Sequence, residues 1–177
     1  MKKIIAVGLI LALASCNKKQ ESTENTEIQN NKTPQLVEMN AEEVANFLAP
    51  KENDTIYVTN FFATWCGPCM HEIPYFKQKM DELKNEKVKF TFINLDNPKN
   101  WNSEVSRFAM ESGLEKNIIL FNFQNMTEDF FSQNFQTWTG EAIPFTLITK
   151  GKHRDETIGM MSKEDLTNKI NALKSAN

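Results

Sequence analysis

The sequence is short of the residues that define several protein classes. Of its 177 residues only three are cysteine, six glycine and six proline. Such low glycine and proline contents exclude a collagenous or low-complexity chain. Cys16, Cys66 and Cys69 are too few for a disulfide scaffold, and an odd number cannot all pair within one molecule. A four-cysteine zinc site is excluded, and a mixed site would need both histidines, His71 and His153. An excess of positive charge is also lacking, with 20 Lys and Arg against 23 Asp and Glu. The formal net charge of −3 leaves no broad cationic surface, so nucleic acid is not an expected partner. The apolar run at residues 4–14 has 11 residues, whereas a membrane-spanning helix needs roughly 20. What is present, 40% apolar and 24% charged residues over this length, suits one domain of ordinary size. No internal repeat and no second domain is visible.

Lys2 and Lys3 precede the short apolar run, the order of a signal peptide rather than of a spanning helix. Leu13-Ala14-Ser15-Cys16 then resembles the bacterial lipobox, whose cysteine is lipidated and becomes the mature N-terminus. That resemblance implies a lipoprotein signal peptide over 1–15 and a membrane anchor on Cys16, since several acyl chains hold stably where one is marginal. By likeness to enteric sorting rules, Asn17 after the cysteine favours the outer membrane. The expected location is the cell envelope, facing the periplasm. Residues 17–35 are nearly all polar, with Ile28 the one large apolar side chain. Such a segment buries too little to offset its ordering entropy. Residues 16–35 are therefore expected to be a lipidated cysteine and a flexible tether, spanning roughly 25 Å root-mean-square.

Residues 36–177 read as the folded domain. A strand is expected at 36–39, then a helix capped by Asn40 with Glu43 three residues on, a capping box. Val44, Phe47 and Leu48 share one helical face, and Pro50 closes it. The β-branched and aromatic run at 55–62 reads as a buried strand. The spacing of Ile73, Phe76, Met80 and Leu83 predicts a helix over 68–83. Further strands are expected at 88–95, 117–123 and 145–149, and helices at 100–111 and 127–137. Lys150-Gly151-Lys152 is a turn, with a hairpin partner at 156–159. Ser162 caps a last helix bearing Leu166, Ile170 and Leu173 on one face. The order β-α-β-α-β-α-β-α-β-β-α implies an α/β fold with a mainly parallel central sheet, helices on both faces and an antiparallel edge.

The second strand runs directly into Trp65-Cys66-Gly67-Pro68-Cys69 and a helix. A cysteine at a helix N-terminus faces unpaired N–H groups and the positive end of the dipole. Both stabilise the thiolate, which is the nucleophile. Gly67 allows a tight turn, and Pro68 suits a first helical turn because it has no N–H to leave unpaired. The two-residue spacer brings the second sulfur within bonding reach of the first. Cys66 would attack a disulfide and Cys69 resolve the mixed disulfide. Competing readings are weaker. Haem attachment needs histidine directly after the second cysteine, but Met70 intervenes before His71. A zinc knuckle lacks its second cysteine pair. A structural disulfide over so short a loop would constrain the unfolded chain little. No metal and no cofactor is expected.

This pentapeptide matches the thioredoxin active site over all five residues. The longer stretch Asn60-Phe61-Phe62-Ala63-Thr64-Trp65-Cys66-Gly67-Pro68-Cys69, Glu72-Ile73-Pro74 after it, and Ile143-Pro144 before a strand resemble the TlpA/ResA group of membrane-anchored thiol–disulfide oxidoreductases. The resemblance implies a thioredoxin fold with a strand–helix insert at 117–137. It implies a carboxylate, Glu72, tuning proton transfer at the cysteines. It implies a cis-proline, Pro144, facing the cysteines, with Ile143 offering backbone hydrogen bonds to an extended client. Trp65 would cover the rim. The implied partners are protein disulfides or dithiols and a membrane thiol donor of the DsbD/CcdA kind. The Gly-Pro dipeptide resembles reducing thioredoxins. Oxidase or isomerase action, and a non-catalytic binding module, are the alternatives. The peroxiredoxin pattern Pro-x-x-x-Thr-x-x-Cys is absent around Cys66.

The chain also departs from the group. It opens strand–helix rather than with a β-hairpin. Met70 replaces the usual Lys or Arg, and Asn122 a frequent Asp. Asn60 stands where thioredoxin has a buried Asp and cannot exchange a proton; its expected role is to satisfy nearby backbone. His71 is expected to point outward. Phe121, Phe123, Phe130, Phe131 and Phe135 read as core of the insert, and Met160-Met161 as packing.

Overall fold

The computed structural model describes residues 35–126 and 128–176. The signal segment 1–15, Cys16 and all of the tether except Gln35 lie outside the described residues. One sheet organises the domain. Its strands are β1 (Val37–Met39), β2 (Ile56–Phe62), β3 (Val88–Asn94), β4 (Ile118–Phe121), β5 (Phe145–Lys150) and β6 (His153–Ile158). They lie in the order β1-β4-β3-β2-β5-β6. The first four pair in parallel, while β5 runs antiparallel to both β2 and β6. The insert's strand β4 thus sits inside the sheet, between β1 and β3.

Helices α1 (Ala41–Leu48), α2 (Gly67–Glu82), α3 (Ser106–Ser112), α4 (Glu128–Asn134) and α5 (Lys163–Ser175) complete the fold. The strand period of two divides the core. Val58 and Phe62 of β2 face the cluster containing Ile73 and Phe76 of α2, Ala109 of α3 and Ile170 of α5. Phe61 between them faces the cluster containing Val44 of α1 and Phe130 of α4. Asn60 takes the same side as Val58 and Phe62, directly under α2. At α1 the Asn40–Glu43 capping box forms as the spacing predicts.

Four elements differ from the sequence expectations. The helix expected over 100–111 is three segments: a 3-10 turn Pro98–Asn100, a π turn Trp101–Val105, then α3. The Ser106 hydroxyl takes the Trp101 carbonyl at 2.7 Å, and the Trp101 indole donates to the Asp96 carbonyl at 3.1 Å. Such side-chain bonds favour a wider turn over a regular α-helical one. Strand β4 stops at Phe121 because the Asn122 side chain accepts from Gln124 N–H and starts a 3-10 turn. Helix α4 ends at Asn134, short of the expected 137, because the next free N–H groups turn to Glu156 instead. Finally, β6 begins at His153, not 156. Its residues His-Arg-Asp-Glu-Thr-Ile carry no apolar alternation, as suits an edge strand. Gly151, at φ +56°, makes the two-residue turn before it.

Candidate active site

Cys66 is the N-cap of α2, and its Sγ accepts from the Cys69 N–H at 3.2 Å. The two cysteines form a disulfide, with Cα atoms 5.3 Å apart. Both cysteines are buried, but Cys66 keeps 5% of its surface exposed and Cys69 none, so Cys66 is the more open of the two. Pro68 falls in the first turn, where its missing N–H leaves no bond unmade. Gly67 departs from expectation. Its φ is not positive, and an added Cβ would meet nothing within 4 Å. The turn does not require glycine there.

The Ile143–Pro144 peptide bond is cis. Cys66 Sγ lies 3.8 Å from the Ile143 carbonyl oxygen, so the loop before β5 directly faces the disulfide. Trp65 is 69% exposed and rims a cleft of about 380 Å³ shared with Thr64, Met70, Arg107 and Phe108. His71 is exposed and turned toward the Tyr75 hydroxyl, 3.4 Å from its Nε2, not toward the cysteines.

Beneath the disulfide is a buried polar cluster. Glu72, one helical turn after Cys69 on the same side of α2, has no exposed surface. Its Oε1 accepts from Asn60 Nδ2 at 2.8 Å and its Oε2 from the Met161 N–H at 2.7 Å. Burial pushes the Glu72 carboxyl up to about 7, although both hydrogen bonds pull the other way. Asn60 also donates to Thr146 Oγ1 at 3.0 Å, its neighbour across β2 and β5. Asn60 therefore serves side chains rather than the nearby backbone, and its Oδ1 has no partner. The arrangement places two cysteine sulfurs at a helix N-terminus, only one of them on a residue with any exposed surface, and a buried carboxyl one helical turn further along α2.

A second support was not singled out from the sequence. Asp96, 1% exposed, accepts from the Thr64 N–H and hydroxyl, each at 2.7 Å, and from Asn94 Nδ2 at 2.7 Å. It pins the turn between β2 and Trp65. The available signal was an acid just after a buried strand, at the carboxyl edge of the sheet where α/β sites form. Of the two methionines read as packing, Met161 is buried and Met160 is 53% exposed. Of the insert's aromatics, Phe121, Phe130 and Phe135 are buried in the core of that face, as expected. Among the described residues, no cluster of three or more histidine, cysteine or acidic side chains could hold a metal.

Comparison with known proteins gives a consistent result. The AhpC/TSA family matches residues 25–152. The chain is 30% identical over 117 residues to the thiol-disulfide oxidoreductase ResA of Geobacillus kaustophilus, covering 65% of this chain and 61% of that one. It is 27% identical over 177 residues to ResA of Geobacillus thermodenitrificans, covering 98% of this chain and 95% of that one. Among solved structures, a thioredoxin-related protein from Neisseria meningitidis serogroup B superposes with a TM-score of 0.55 at 23% identity, over 70% of this chain and 87% of that one. The fold is the thioredoxin fold. The dithiol site and these relatives put the chain in the thiol–disulfide oxidoreductase class.

Proposed function

The chain belongs to the AhpC/TSA family, and from that premise we propose that it reduces protein disulfides at the periplasmic side of an envelope membrane. The observation that carries this reading is Cys66, the more open cysteine, at the α2 N-terminus, against the Ile143 carbonyl, with Cys69 and Glu72 fully buried behind it. In the reduced enzyme the helix terminus stabilises a Cys66 thiolate. That thiolate attacks one sulfur of a client disulfide. A Cys66–client disulfide forms and the other client sulfur leaves as a thiolate. Cys69 gives its proton to the Glu72 carboxylate, directly or through water, and attacks the Cys66 sulfur. The client leaves with both cysteines reduced, and the Cys66–Cys69 disulfide holds the oxidising equivalents. A dithiol donor restores the pair, and a membrane thiol transporter of the DsbD/CcdA kind is the donor class inferred.

Ile143 offers its backbone to an extended client, and Trp65 forms the opposite rim. Residues 1–15 act as the signal peptide and Cys16 as the lipid anchor. No helix among the described residues is long and apolar enough to cross a membrane. The test is insulin reduction by the wild type, Cys66→Ser and Cys69→Ser, with fractionation of Cys16→Ser cells alongside. The wild type should be active, both site variants inactive, and Cys16→Ser lost from membranes. An inactive wild type whose variants still bind unfolded clients would make the domain a binding module. Wild-type membrane retention of Cys16→Ser would remove the anchor. The redox state of the pair in cells decides direction: mostly dithiol fits a reductase, mostly disulfide contradicts it.

A further inference from the structure

The loop carrying Ile143 must be held against the Cys66 sulfur if a client backbone is to pair there. Yet the chain has neither helix nor strand from residue 135 to residue 144. Trp138 supplies a hold. Its indole N–H donates to the Ala142 carbonyl at 2.7 Å, immediately before Ile143. Its ring is 3% exposed and stacks on Phe145, with centroids 4.3 Å apart and planes 9° apart. Phe145 is the residue just after Pro144. One side chain therefore ties down both ends of the cis-proline segment. Phe131 and Phe135 pack edge-on against the same ring, at 5.4 and 5.0 Å.

Gly140 completes the seat. At φ +88° it takes a backbone conformation that suits glycine, and a Cβ there would lie 2.3 Å from Phe131 Cζ. The loop backbone thus rests directly on an aromatic ring of the insert.

We propose that Trp138 is a positioning residue for disulfide exchange, and that the insert's aromatic face is the seat of the cis-proline loop. This rests on Cys66 and Cys69 being the reactive pair. Freed from Trp138, the Ala142–Ile143 peptide loses its fixed orientation beside Cys66. An extended client then meets a mobile edge, while the sulfurs and the α2 N-terminus stay as they are. Clients that need backbone pairing should suffer, and small disulfides should not.

The experiment compares wild type, Trp138→Phe and Gly140→Ala in steady-state reduction of a disulfide-bonded peptide and of a small aromatic disulfide. Trp138→Phe keeps a ring on Phe145 and removes the N–H. The peptide KM is expected to rise about fivefold in Trp138→Phe, as for the loss of one buried hydrogen bond. Its kcat, and its rate on the small disulfide, should match wild type. Gly140→Ala should raise KM in the same direction; if it fails to fold by circular dichroism, Trp138→Phe decides alone. A wild-type peptide KM in folded Trp138→Phe, or an equal loss on both substrates, overturns the proposal. A wild type inactive on both substrates instead overturns the reading of the dithiol itself.

Discussion

Glu72 illustrates how burial changes a residue's chemistry. A carboxyl that ionises near 4.5 in the unfolded chain does so at about 7 in the fold. The folded state therefore holds this proton more tightly. Its stabilising contribution is full below about 4.5 and is lost as pH rises through about 7, a difference on the order of 3 kcal/mol. Glu72→Gln removes that dependence. Its amide can still accept from the Met161 N–H, and Asn60 can turn its unpartnered Oδ1 toward the new N–H group. Urea unfolding of the oxidised protein should find Glu72→Gln more stable than wild type at pH 8 and similar or weaker at pH 5. An unchanged difference across that range would refute the raised ionisation. The dithiol, Pro68 and the outward His71 were legible from residue type and spacing alone. The partners of Glu72 were not, because Asn60, Thr146 and Met161 are distant in sequence and meet only through strand register and the closure of α2 onto the β6–α5 loop.

At the scale of elements, the clearest missed feature is the clamp that ends α4. The Glu156 carboxylate on β6 accepts from the Gln136 N–H and from the Thr137 N–H and hydroxyl, all between 2.8 and 3.0 Å. Arg154 pairs with Glu156 at 2.8 Å and donates to the Asn134 carbonyl at 2.8 Å. Burial alone would raise the Glu156 carboxyl, but these donors and the Arg154 charge outweigh it and hold the group below its ordinary value. The resulting stability is present above the ordinary value and is lost as pH falls through the depressed one. Glu156→Gln should cost about 1–2 kcal/mol at pH 7, with the gap to wild type closing at pH 3. Urea midpoints at the two pH values check this, and a gap of equal size at both would count against the clamp. The helix ending at 134 was unreadable from periodicity because an acid some 20 residues downstream decides it. The start of β6 at His153 was hidden for the related reason that its register is set by pairing with β5, not by an apolar face. Where an element buries a full apolar stripe, as in β2, α2 and α5, pattern and structure agree.

For the molecule as a whole, the alternating element order was enough to read an α/β sheet, but not that β4 would lie between β1 and β3. Parallel strands joined by crossovers leave several strand orders open, and only tertiary pairing selects one. The consequence is that the insert is built into the sheet, and its helix α4 supports the loop that faces the active cysteines. Sheet, helix terminus and loop together leave Cys66 a little surface and Cys69 none. That asymmetry is the central claim, and trapping tests it most directly. The reduced Cys69→Ala variant, incubated with a disulfide-bonded peptide and examined by mass spectrometry, should accumulate one peptide adduct on Cys66, releasable by added dithiol, while Cys66→Ala accumulates none. Absence of the Cys66 adduct, or an equal yield on Cys69 in the Cys66→Ala variant, would contradict the account.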